Sequence, residues 1–354
     1  MERVDVLVLG ATIEGLSAAR AAAANGVRVA LLDPEPLLEE DPTLHAVLSP
    51  ELDALALDAK DPERSIERLQ VAAQLKTAIG GELVRHVVRA DRITEKLTLA
   101  AKRQGAELRF GLGALEVRAE ASGWVVTSTL AEPHWAEAII VADGPRSPTL
   151  SELGVFESYR VHQTFPGVLS YLSATWKLGD NAESYDAIQI SETRGPLGGM
   201  WMVPGATTAS AAIGPVWRGV ARPQYDWASA TDRVVPTLLD QASSELRLAK
   251  RPIFIDLIET RIDAIPSPAA FERAVAVGAA TGHGPRSPLL SAGSLARAGN
   301  IVGRGVADSV KSKTLDARSL SRALEEPLSE LTAWCTAQLA LEARGMRHPR
   351  ARSL

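Results

Sequence analysis

Apolar and polar positions change period several times along the chain, and the changes mark its elements. Val4 to Leu9 is a short, β-branched apolar run interrupted only by Asp5, the pattern of a buried strand. Gly10 follows at once. From Gly15 to Asn25 the chain is alanine-rich, with Leu16, Ala19, Ala22 and Ala23 on one helical face, and Gly26 ends the helix. Val27 to Leu32 is a second strand with Asp33 at its carboxyl end. Pro34 to Pro50 reads as loop, and Glu39-Glu40-Asp41 as a solvated face. Ser49 to Leu57 and Pro62 to Ala78 have helical spacing, with Ile66, Leu69, Val71 and Leu75 inward, and Gly80-Gly81 breaks them. Glu82 to Arg89 is a strand, and Asp91 to Ala101 a helix burying Ile93, Leu97 and Ala100-Ala101. Ala106 to Phe110 then returns to a parallel sheet. Leu115 to Arg118 and Gly123 to Thr129 form a meander, and Ala136 to Ala142 is a buried strand running into Asp143-Gly144-Pro145-Arg146-Ser147.

The texture changes between Ser158 and Asp263. Alternating, aromatic-rich stretches predict an antiparallel sheet from Val168–Trp176, Ala187–Ser191, Met200–Val203, Ser210–Ile213 and Phe254–Thr260, with a helix over Ala230–Leu246. Ala274 to Ala279 is one more buried strand, leading into Gly282-His283-Gly284-Pro285. Helices follow near Leu290–Ala298 and over Lys311–Leu341. The expected class is α/β. A Rossmann-like domain with a parallel sheet (1–157 with 264–310) is intergrown with an antiparallel-sheet substrate domain (158–263, α+β). Residues 311–354 supply C-terminal helices and a basic tail.

Strand, glycine turn, helix, strand and acid together form a βαβ unit suited to a dinucleotide. The free N–H groups and positive end of the helix cradle a pyrophosphate. Gly15 lets helix and strand approach, and Asp33 can accept hydrogen bonds from a ribose. The unit, Gly10-Ala11-Thr12-Ile13-Glu14-Gly15, places Thr12 where a full fingerprint has its middle glycine. Two roles fit Thr12: its hydroxyl donates to a phosphate, or its branched Cβ holds the ligand away. Glu14 either adds an anion where the phosphates would lie or points to solvent and complements the helix dipole.

The remaining totals mostly exclude. At 354 residues, 46% hydrophobic and 23% charged, the chain can bury a sizeable core and is ordinary for a soluble protein. A net charge of −5 gives no argument for nucleic acid. No apolar run approaches the roughly 18 residues that span a bilayer. The first strand begins at Val4, which leaves no room for a signal peptide, so a cytoplasmic location is expected. Cys335 is the single cysteine and reads as helix packing beside Trp334. No metal-ligand spacing and no Ser-His-Asp pattern stands out.

Five segments in this order resemble the glutathione-reductase-type FAD-dependent oxidoreductases. The group in question holds geranylgeranyl reductases, electron-transfer flavoprotein quinone oxidoreductase relatives and aromatic hydroxylases. GATIEG matches the first turn, and Asp91-Arg92 through Arg109-Phe110 the following helix and strand. Ala142 to Ser147 is similar to the family's ADG.RS turn. Gly199 to Pro204 is similar to its G..W.FP strand, and Gly278 to His283 to its GDAAGH segment. The resemblance covers nearly the whole chain. It implies that Gly10 to Gly15 hold the FAD pyrophosphate, Asp33 the adenosine ribose, and Arg92 the ribityl and phosphate region. Asp143-Gly144 would support the cofactor from behind. Gly278, Ala279 and Gly282 would line the ribityl chain, and the helix after Pro285 would face the flavin's pyrimidine edge. NADPH or NADH is the candidate electron donor.

Two departures stand out beside Thr12. Ala279 replaces the family's acid, forfeiting on the order of 1 kcal/mol per lost ribityl bond. No cysteine lies near Leu44 to Ser49, where many reductases carry one. The candidate substrate-pocket residues are Tyr171, Trp201, Trp217 and His283. The aromatics fit either an apolar pocket or sheet core, and His283 either a proton donor or a structural loop histidine. No catalytic residue can be named. The reading is an FAD-dependent oxidoreductase for an apolar small molecule. It would deliver hydride to an alkene- or quinone-like acceptor, or hydroxylate with oxygen. The alternative is a degenerate flavoprotein fold acting as a binding or assembly protein. A plain NAD dehydrogenase leaves the Asp143 and Gly278 segments unexplained. The basic tail, Arg344 to Arg352, is either simply solvated or a contact for an anionic membrane surface.

Overall fold

The structure is a computed structural model of the chain. It describes residues 1–36, 40–66, 68–71, 85–128, 131–155, 168–179, 185, 187–192, 199–219, 235–240, 242–244, 247–248, 251–261, 269–281, 289, 291–329 and 331. Cys335, Trp334, Gly282, His283, Pro285 and the basic tail lie outside the described residues.

The N-terminal unit folds as its sequence dictates: β1 (Glu2–Leu9), α1 (Ile13–Ala24) and β2 (Val29–Asp33). Next come β3 (Leu44–Leu48), β4 (Arg64–Ile66), β5 (Arg68–Val71) and β6 (Arg85–Arg89). Then follow α2 (Ala90–Arg103), β7 (Glu107–Phe110), β8 (Ala114–Glu120), β9 (Gly123–Ser128), β10 (His134–Val141) and α3 (Pro148–Glu152). The antiparallel strands are β11 (Val168–Lys177), β12 (Ala187–Glu192), β13 (Gly199–Pro204), β14 (Thr208–Gly219) and β15 (Phe254–Arg261). Last come β16 (Ala269–Phe271), β17 (Ala274–Ala276) and α4 (Ala292–Ser312).

The described strands form three sheets. The first runs β16-β17-β10-β1-β2-β7, parallel from β17 to β7, with β9 and β8 added antiparallel at the start of β10. The second runs β15-β11-β14-β13-β12-β5, antiparallel except that β5 joins β12 in parallel. The third, β3-β6-β4, bridges them. Ser210 Oγ on β14 secures that bridge: it accepts the Leu44 amide at 2.9 Å and shares a hydrogen bond with Thr175 Oγ1 at 2.7 Å. The class is therefore α/β with an added antiparallel layer, as the sequence implies.

Helices α1, α2 and α4 cover one face of the parallel sheet through Leu16, Ala19, Ile93, Leu97, Ala296 and Val302, all fully buried. The approach of α1 and α4 is unusually close. A side chain begun at Gly299 would stand 2.2 Å from the Glu14 carbonyl oxygen, and one at Gly303 would stand 2.3 Å from that of Ala18. Glycine four residues apart thus cuts a notch into which the α1 backbone fits.

Several expected elements change. Leu44–Leu48, inside the expected loop Pro34 to Pro50, is strand β3 paired with β6, and Ser49 to Leu57 is a 3-10 turn over Ser49–Glu51 followed by turns, not a helix. Within Pro62 to Ala78, Arg64–Ile66 and Arg68–Val71 are strands and not helix, because β6 and β12 offer them open edges. The strand expected to reach Ala279 stops at Ala276, and a 3-10 turn takes over at Gly278–Thr281, where Gly278 has φ +69°. The helix expected near Leu290–Ala298 continues to Ser312, and Lys313, with φ 59°, ends it before a separate helix over 317–329.

Two predictions follow from this packing. Gly303→Val drives a branched side chain into the α1 backbone and should destabilise the fold by about 3 kcal/mol or more in denaturant titration; an unchanged midpoint would refute the notch. Asp61 should also govern acid stability. Burial raises its pKa, but the Asp58 amide, Lys96 and Arg92 outweigh that and hold it at about 2 against an ordinary 3.8. Because the folded pKa is the lower one, the stabilisation is full above pH 3.8 and vanishes as pH falls through about 2. Asp61→Asn should cost about 1–2 kcal/mol at neutral pH, after allowing for the exposure of Arg92, and nothing at the acid end. A pH-independent loss would rule out the ion pairs as its cause.

Candidate functional site

The carboxyl edge of the parallel sheet collects the segments that the sequence singles out. Gly10 to Thr12 leave β1, Asp33 ends β2, Ala142-Asp143 leave β10 and Gly278-Ala279 leave β17, and these strands are neighbours. Ligands of open α/β sheets bind at such an edge.

Each residue there has a definite partner. Thr12 is the N-cap of α1: its Oγ1 accepts the Gly15 amide at 3.2 Å and donates to the Ala142 carbonyl at 3.0 Å. It thus uses its hydroxyl to staple β1's turn to β10. Asp33 accepts the Ala11 amide on Oδ2 at 2.5 Å and the Glu35 amide on Oδ1 at 2.8 Å, which sets the turn's shape. Ile13 packs against the helical core. Gly10, at φ +104°, has the Ala142 carbonyl oxygen 2.3 Å from where a Cβ would sit. Its lack of a side chain therefore serves the neighbouring strand. Gly15 likewise faces the Gly10 carbonyl oxygen at 2.0 Å.

Glu14 corrects one of the two expectations for it: it does not point to solvent. The residue is 1% exposed, and one carboxylate oxygen accepts the Ala279 amide at 2.9 Å. Its side chain fills the space where Gly278 lacks one, with Oε1 2.5 Å from that glycine's would-be Cβ. Burial pushes its carboxyl up from the ordinary range, while the Ala279 amide, its own amide and the Thr12 hydroxyl oppose the rise. A second buried carboxylate, Glu51, repeats the arrangement at α4. It is 4% exposed, accepts the Leu48 amide at 2.9 Å and packs onto Gly293 in the first turn of that helix. Burial again raises its pKa, against the Leu48 amide, Arg297 and Arg85. Sequence reading missed Glu51 altogether. The signal was the glycine near the start of α4, which leaves room for the Glu51 side chain.

Asp143 accepts the Thr149 amide on Oδ2 at 2.9 Å, bracing α3, and its Oδ1 is buried without a partner among the described residues. Gly144 has φ +85°, which only glycine adopts freely. Arg92 is not where the resemblance placed it. Its guanidinium is ion-paired to Asp61 at 2.9 Å and to Glu95, at the start of α2. It opens onto a cleft of about 590 Å³ shared with Arg20, Lys96, Arg103 and Arg304, on the outer side of the helices. Tyr171 and Trp201 are 0% and 3% exposed and meet edge-on at 5.7 Å, in a core with Leu44, Val87 and Leu289. Of their two expected roles, this conformation takes the core one. The side chains of Trp217 and His283 lie outside the described residues, as does Gly282.

The frame thus fits a dinucleotide in topology, in the acid closing β2 and in the unmet acceptor on Asp143. At the turn after β17 it does not, in this conformation, because the Glu14 carboxylate already holds the Ala279 amide and fills the space beside Gly278. Among the described residues no group of side chains is arranged to hold a metal ion, and no helix is long and apolar enough to cross a membrane.

Solved structures share this fold. A geranylgeranyl bacteriochlorophyll reductase-like protein from Thermoplasma acidophilum matches 98% of this chain and 89% of its own, with a TM-score of 0.76 and 15% identity. The p-nitrophenol 4-monooxygenase of Pseudomonas putida matches 98% and 90%, with a TM-score of 0.74 and 13% identity. Aklavinone-11 hydroxylase, solved with FAD and aklavinone, matches 99% and 70%, with a TM-score of 0.71 and 17% identity. The fold is that of the FAD-dependent reductases and hydroxylases, as the five sequence segments suggested. No family model and no curated protein matches the sequence.

Gly10→Val should fail before any ligand is involved. Its side chain meets the Ala142 backbone in a positive-φ position, so the expected outcome is a loss of about 3 kcal/mol or more, or insoluble protein. Wild-type stability in that variant would show that the turn does not lie against β10.

Proposed function

We propose that the protein binds FAD at the carboxyl edge of its parallel sheet and acts as an oxidoreductase on an apolar small molecule. The observation that carries this reading is Asp143. Its buried, unmet Oδ1 calls for a hydroxyl or N–H donor, at the edge where the β1–α1 turn, Asp33 and the Gly278 turn meet. A polyol-bearing nucleotide supplies such donors. FAD would bring hydride transfer, to an alkene- or quinone-like acceptor, or oxygen activation for hydroxylation. The chain's own part is binding and orientation: Asp33 facing a ribose, Asp143 a sugar hydroxyl, and the antiparallel sheet covering the site. The relatives in fold include a p-nitrophenol monooxygenase and an aklavinone hydroxylase, which supports an aromatic or similarly apolar substrate. NADPH or NADH would serve as reductant.

A second reading has its own observation. Thr12, Glu14 and Ala279 leave the cradle filled and short of an acceptor, as suits a fold retained for binding or assembly.

The deciding experiment is an equilibrium titration of the full-length protein with FAD, followed by anaerobic addition of NADPH or NADH. Saturable uptake at one flavin per chain, with bleaching on reduction, is the expected result. Absence of saturable uptake in wild type and in variants at Glu14 overturns the oxidoreductase reading and leaves the second.

A further inference from the structure

A helix start presents unpaired amides and a positive dipole end, so it selects an anion. Beside the first turn of α1 the chain supplies a carboxylate of its own. Thr12 Oγ1 takes the Gly15 amide, and the Glu14 carboxylate takes the Ala279 amide at 2.9 Å. The same carboxylate lies against Gly278, its Oε1, Cδ and Cγ all within 2.6 Å of the place a Cβ would occupy. It therefore spans the gap between the first turn of α1 and the turn after β17. A dinucleotide binding at this edge has to set its pyrophosphate on the same helix start. Two anions cannot share it. The Glu14 backbone is fixed by α1, which the notch at Gly299 holds in place, but its side chain has three rotatable bonds and can swing clear alone.

We propose that the Glu14 carboxylate is an internal ligand of the dinucleotide cradle, occupying the pyrophosphate's place in the free protein and leaving it when a dinucleotide binds. Residue 14 then sets affinity. The proposal rests on the reading of this edge as a dinucleotide site.

The test is titration of the full-length wild type, Glu14→Ala and Glu14→Gln with FAD and, separately, with ADP, which carries the pyrophosphate without the flavin. Flavin fluorescence and calorimetry give the affinities, and circular dichroism checks the fold. Glu14→Ala should bind both ligands at least tenfold more tightly than wild type. Glu14→Gln, which keeps the bulk and an acceptor for the Ala279 amide but loses the charge, should fall between them. If Glu14→Ala does not fold, a tighter Glu14→Gln supports the proposal and an unchanged one overturns it. Equal FAD affinity in wild type and Glu14→Ala overturns the proposal while leaving FAD as the cofactor. Tighter ADP binding without FAD uptake in any variant supports the internal ligand and removes the flavin. No binding of either ligand by any of the three proteins overturns both.

Discussion

Backbone lies directly on backbone at four glycines around α1, and the rest of the structure depends on this. Gly10 sets the turn before the helix against the end of β10, Gly15 sets the first turn of α1 against Gly10, and Gly299 and Gly303 bring α4 against the first half of α1. With no side chains between them, these elements have no freedom to slide. The start of α1 is held against the ends of β1 and β10, and that is where the fold gathers its polar groups. The helices of the same layer then bury an alanine- and leucine-rich surface, whose small residues suit a contact this tight.

Much of this was legible in the sequence, because local pattern and tertiary role agree there. Val4 to Leu9 and the close approach at Gly15 have one local reading, and the fold uses it; Asp33 ends β2 as read, with its carboxylate on the Ala11 and Glu35 amides. Ala90–Arg103 was equally clear from Ile93 and Leu97. Disagreement arose where a neighbour overrode the local pattern. Ile66, Leu69 and Val71 have helical spacing, yet two sheets had open edges for the segments that hold them. Gly299, Gly303 and Gly305 resemble helix breakers, and only their tertiary neighbours explain them: the facing α1 backbone for the first two and the Leu324 side chain for the third. The site was legible as a set of segments and not as a set of contacts. Nothing local to Glu14 tells that Gly278, far along the chain, leaves room for it. Arg92 stands in the expected motif, but Asp61 and Glu95 claim its charge.

Two buried glutamates at two helix starts change how this edge should be seen. Glu14 and Glu51 each sit against a glycine, each accept a backbone amide, and each have their pKa raised by burial. In most proteins a carboxylate stripped of water is a cost that a cation or a metal offsets. Here oriented backbone amides take that part, with arginines near Glu51 adding to it. Both carboxylates are thus held by the chain's own backbone.

The notch between α1 and α4 also orders events in time. Its two halves come from opposite ends of the chain, so when the N-terminal strands and α1 emerge from the ribosome their cover has not yet been made. The apolar face of α1 stays open until synthesis passes Gly303. A nascent chain of this protein therefore carries the α4-facing side of α1 uncovered for most of its synthesis. A message truncated anywhere before α4 would yield a fragment that cannot close its own core.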